Sequence, residues 1–115
     1  MEQQPITRVI LDTHRLGGTL PVGSVEVRRI TIAPNVAPGV HWHNGPVFGV
    51  VEAGSVRFQV ESDDERILHA GDVFYEPGDR TITRFDATGE GVTFLAWFPL
   101  PDGVSPELTM GEAPK

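Results

Sequence analysis

The sequence predicts an all-β domain, a sandwich or closed barrel of about eight short strands joined by tight turns. Three observations predict it. Apolar residues recur with a period of two: Val56, Phe58 and Val60 alternate with Ser55, Arg57, Gln59 and Glu61, the pattern of a half-buried strand. Gly and Pro are frequent without being periodic, 13 and 10 in 115 residues, and they fall between the apolar runs. No segment between Ile6 and Leu100 keeps an i, i+3, i+4, i+7 apolar stripe for three turns, so no long helix is expected.

Strands are expected, in order, at Ile6–Leu11, Ser24–Ala33, Val47–Glu52, Ser55–Glu61, Arg66–His69, Val73–Glu76, Thr81–Phe85 and Val92–Leu100. Ser24–Ala33 is rich in β-branched residues and stops at Pro34-Asn35. Val92–Leu100 is apolar on both faces, so the core covers one and a second subunit the other. The shorter strands are marked off by breakers, among them Gly45-Pro46, Ala53-Gly54, Gly71-Asp72, Pro77-Gly78 and Gly89-Glu90-Gly91. Residues 1–115 are expected to form one domain, with the barrel over about 6–100 and an extended arm over 101–115, where Pro101, Pro106 and Pro114 fall.

Composition narrows the function. The formal net charge of −7 gives the chain no electrostatic grip on nucleic acid or on an anionic membrane. No apolar run approaches the roughly 20 residues of a membrane helix. The first residues, Met1 to Pro5, lack the basic and apolar segments of an export signal, and cysteine is absent, so the cytoplasm is the expected compartment. Disulfides and thiolate metal ligands are excluded, as are a phosphate-binding loop and a Gly-x-Ser-x-Gly nucleophile turn.

His41-Trp42-His43 carries the sharpest chemical signal. Residues two apart on a strand point to one face, so both imidazoles aim at one spot and Trp42 points away. Such a pair is half of a site for iron, zinc, manganese, nickel or copper. Two histidines hydrogen-bonding separately at a barrel rim are the alternative. His14 and His69 are expected at the surface.

The stretch from Asn35 through His41-x-His43 to Gly54 resembles the first motif of the cupin superfamily, and Gly71-Asp72-Val73-Phe74-Tyr75-Glu76-Pro77-Gly78 resembles the start of the second. The resemblance spans roughly Val27 to Asp86 and implies a jelly-roll barrel, or double-stranded β-helix. It implies less about function, because the superfamily holds many chemistries. Asn35 stands where the family usually has Gly, and Asn tolerates the left-handed backbone of that turn. The family's metal-binding Glu falls on Val47, and its third His falls on Ile82 or Thr81. Only His41 and His43 of the usual ligands remain.

Glu76 replaces an apolar residue of the family pattern and is expected to point into the barrel. A carboxylate there is costly unless it meets a cation or keeps its proton. His41, His43 and Glu76 are therefore the expected metal ligands, with Glu76 and Tyr75 as catalytic residues and Arg84 as a lesser candidate. Glu76 capping the Pro77-Gly78 turn or pairing with Arg80 is the alternative. The expected protein is a homodimer in which a divalent metal acts on a small oxygenated substrate, by a lyase, isomerase or cyclase step or by oxygenation. The rival is a metal-free cupin that binds a small apolar or carboxylated ligand between walls such as Val47, Val51, Phe74 and Ile82.

Overall fold

A computed structural model describes residues 5–115; the expectation about an export signal rests on residues 1–4, which lie outside the described residues. Every regular element among the described residues is a strand: β1 (Ser24–Ile32), β2 (His41–His43), β3 (Val47–Val60), β4 (Arg66–His69), β5 (Val73–Glu76), β6 (Ile82–Leu100) and β7 (Leu108–Met110). No helix among them is long and apolar enough to cross a membrane. The antiparallel order is β4-β3-β6-β2-β7, with β1 on β6 and β5 on β3. This is the all-β architecture that the alternating sequence predicts, and the double-stranded β-helix that the cupin resemblance implies.

Two expected pairs of strands are each one long strand. Val47–Glu52 and Ser55–Glu61 merge into β3, and Thr81–Phe85 and Val92–Leu100 merge into β6. Ala53-Gly54 makes a bulge here, with register shifts between Val51 and Ala53 and between Gly54 and Val56. Gly54 has φ +75, and a Cβ on it would lie 1.9 Å from the Gly91 carbonyl oxygen. The shift also interrupts the alternation. Ser55, expected on the solvent face, is buried beside Val56 and hydrogen-bonds Thr88 and Glu90, each at 2.6 Å.

Ile6–Leu11 forms no strand. No neighbouring strand takes up its backbone, and Ile6, Val9, Ile10 and Leu11 are all strongly exposed. The chain then passes over the outer face of the sheet, where the His14 ring packs tilted against Tyr75, centroids 4.5 Å apart. Asn35 has φ 62, the left-handed backbone expected of it.

The inner faces of the long strands supply the core. Phe74, Phe85 and Phe94 meet at centroid distances of 4.8–5.7 Å in tilted and edge-on arrangements. Val47, Val51, Val56 and Ile82 are buried around them.

Candidate metal centre

β2 is three residues long, held by β7 at all three positions and by β6 through His41 opposite Ile82. Alternation turns His41 and His43 inward, as their spacing predicts; their rings sit edge-on at 5.1 Å. On β5 the same alternation buries Phe74 and Glu76 and turns Tyr75 outward. Glu76 lies directly across from Val47 on β3. The carboxylate therefore sits one strand over from the position where the family pattern has its Glu.

His41, His43 and Glu76 each offer one ligand atom, and these atoms all lie within 4.8 Å of one another. His43 Nε2 stands 2.9 Å from Glu76 Oε2, with both side chains largely buried. His41 Nδ1 lies 2.7 Å from the Gly39 carbonyl oxygen, and because a carbonyl only accepts, Nδ1 donates. That bond leaves the Nε2 lone pair of His41 free, the arrangement that commonly orients a metal-bound imidazole. Two neutral imidazoles and a carboxylate fit a divalent cation, whose bonds to nitrogen and oxygen run about 2.0–2.2 Å.

The three residues open on a cavity of about 210 Å³. Its other walls are apolar, contributed by β1 (Ile30, Ile32), β3 (Val47), β5 (Phe74) and β6, with Pro38 and Leu108 near β2. Val47 and Phe74 are wall residues as expected. Val51 and Ile82 are buried in the core and do not line the cavity.

Other sequence candidates lie elsewhere. Tyr75 stacks on Phe48 at 5.1 Å on the outer face, because neighbours on a strand face opposite ways; it does not meet the ligand cluster. Arg84 is exposed and pairs with Asp86 at 3.2 Å. Thr81 accepts a hydrogen bond from the Ala113 amide at 2.9 Å. Arg80 does not serve Glu76. It binds Glu61, whose carboxyl it holds below the usual range, mainly through their hydrogen bond. His69 is exposed, and His14 lies with Tyr75 on the outer face.

Sequence reasoning missed Ile30, Ile32, Phe85, Phe94 and Phe98 as cavity walls. The alternation in Val92–Leu100 already groups Phe94, Ala96 and Phe98 on one face, but the facing residues of β1 follow only from the β1–β6 register. It also missed Arg28, which lies across from Ala96 on the inner side of β1, over the Phe98 ring at 5.0 Å and paired with Glu26.

The family described as Cupin domain matches residues 28–98. No curated protein sequence matches the chain. Among solved structures, a DMSP lyase from Ruegeria pomeroyi superposes with TM-score 0.64 at 17% identity, over 73% of this chain and 42% of the lyase. A cupin-like protein from Thermotoga maritima gives TM-score 0.64 at 22% identity, over 76% of this chain and 65% of that one. Oxalate decarboxylase from Bacillus subtilis gives TM-score 0.62 at 20% identity, over 72% and 23%. The chain thus spans less than two thirds of each of these three proteins, and at such identities the likeness is one of fold.

Proposed function

Because this chain belongs to the cupin family, we propose that it is a metal-binding cupin acting on a small oxygenated organic molecule inside its barrel. His41, His43 and Glu76 would hold the cation. One observation carries this reading: the ligand atoms of His41, His43 and Glu76 converge within 4.8 Å of one another in an otherwise apolar cavity. A bare imidazole nitrogen and a carboxylate oxygen both accept, so a proton or a metal ion must lie between His43 Nε2 and Glu76 Oε2, 2.9 Å apart. A bound divalent cation supplies Lewis-acid polarisation of a substrate oxygen.

The chain's own residues do the rest. His41 is oriented by the Gly39 carbonyl and offers Nε2 to the site. Glu76 can take or return a proton at Oε1 while Oε2 faces His43. The apolar walls keep water from the reacting atoms. Tyr75 has no part in this scheme. The fold is shared with a DMSP lyase and an oxalate decarboxylase, which supports a lyase-type step if the metal is zinc, manganese or nickel. Oxygenation would go with iron.

Elemental analysis of protein purified without an affinity tag or added metal tests the proposal, with near-stoichiometric metal expected. His41→Ala and His43→Ala should each abolish retention, and Glu76→Gln should weaken it by about tenfold or more. A second reading, a metal-free binding module, is favoured by the His43–Glu76 pair itself, which a single proton can satisfy. A parent protein that comes out metal-free and refuses added zinc, iron, manganese, nickel and copper would establish it.

The chain is further proposed to be a homodimer covering Leu95 and Trp97. The outer sheet face carries two cross-strand rows, Val27–Trp97–Phe48–Tyr75 and Arg29–Leu95–Val50–Val73, that are half-buried or exposed and mostly apolar.

A further inference from the structure

Resting on the metal-site reading above, we infer that the ligand of this cavity gathers its polar atoms at one end and presents an apolar body at the other. Apart from His41, His43 and Glu76, every residue on the cavity wall is apolar. Beyond that corner no wall side chain can pair a charge or complete a hydrogen bond. The inner face of β1 does carry a cation, Arg28, but its charge is matched by Glu26 and its guanidinium lies over Phe98. A carboxylate or ammonium remote from the ligand cluster would be buried among Phe74, Phe85 and Phe94 without a partner, which disfavours it strongly. An aromatic ring or branched aliphatic group instead meets ring faces and edges that already pack in this way.

Volume bounds the ligand. An apolar cavity of about 150 Å³ holds benzene. The 210 Å³ here, polar corner included, scales to a whole ligand of roughly eight non-hydrogen atoms. Drug-sized ligands need more, from about 300 Å³ upward. The polar corner fixes the orientation, with the oxygen end toward β2 and β5 and the body against β1 and β6. The substrate class is therefore a small neutral or singly anionic molecule, and compounds charged at both ends are excluded.

Two titrations test this. In the first, metal-free protein is titrated with benzene and the Ile30 and Ile32 methyl resonances are followed. In the second, protein loaded with cobalt(II), whose visible spectrum responds to added ligands, is titrated with hexanoate and adipate. These acids share one chain length and differ in the second carboxylate. Benzene is expected to shift both isoleucines, less so in Ala96→Val, which narrows the cavity; Ile32→Phe, read at Ile30, serves if that variant does not fold. Hexanoate is expected to bind at least about tenfold more tightly than adipate, a difference of roughly 1.4 kcal/mol. Equal or tighter adipate binding, or a parent protein that ignores benzene, overturns the inference. Failure to take up cobalt would count against the metal site alone, and the benzene titration would then decide the apolar cavity by itself.

Discussion

At the scale of single residues, the site depends on where a charge is allowed to be buried. Glu76 is only 4% exposed and meets His43, whereas Glu26, Glu52, Glu61, Glu65 and Asp86 pair with arginines nearer the surface. Glu61 is the clearest of these. It sits at φ 48 in the turn after β3, and its carboxyl is held low chiefly by the Arg80 hydrogen bond. A depressed carboxyl stabilises the fold above the ordinary carboxylate range, and the contribution fades as pH falls through the folded value. Arg80→Gln should therefore move the Glu61 titration upward, read by NMR of its side-chain carboxyl. An unmoved titration would show that Arg80 is not the cause. The sequence made the His41–His43 pair legible because a period of two is local geometry. It made Glu76 legible because an acid stood in an apolar strand. Tyr75 was misplaced for a reason equally local: strand parity that turns Glu76 inward must turn Tyr75 outward.

At the scale of elements, pairing between strands decides what neighbours in space become. Val47 and Glu76 are direct cross-strand partners, so a carboxylate on either can approach the two histidines. Glu76→Val alone should lose metal. Adding Val47→Glu should recover at least part of it, measured as bound metal per chain after dialysis. A double variant as metal-free as the single one would mean that Glu76 acts through its own backbone position. This relation could not be read from the chain, since it needs the β3–β5 register. The same holds for the bulge at Ala53-Gly54. A Gly beside a small residue reads as a turn, yet the close approach of Gly91 makes it a bend within one strand. The number of strands was therefore overcounted where β3 and β6 run on, and undercounted at β7, three residues within the expected arm that pair with the histidine strand.

At the scale of the whole molecule, the Cα radius of gyration is 15.4 Å, against roughly 13 Å for a compact chain of this length. The excess accords with an N-terminal segment whose Ile6, Val9, Ile10 and Leu11 find no cover within one chain. Light scattering at micromolar concentration should give a dimer mass, and Leu95→Arg, in the middle of the apolar rows, should give a monomer. A monomeric parent would remove the dimer. Fold class was legible at this scale because turns and alternation recur along the entire chain. The make-up of the outer face was only half legible, since the sequence marks Val92–Leu100 as two-sided but not which strands flank it. One connection carries a consequence of another kind. The strand bearing both histidines is fastened chiefly by β7, and Gly111 and Asn44 extend that fastening through bonds to Val40, Ser105 and Glu107. Chains emerge from synthesis N-terminal end first. The histidine strand thus waits, with most of its edge unpaired, until residues 108–110 have been made and fold back. Edge pairing of the histidine strand by β7 can therefore form only after every other described strand has been made.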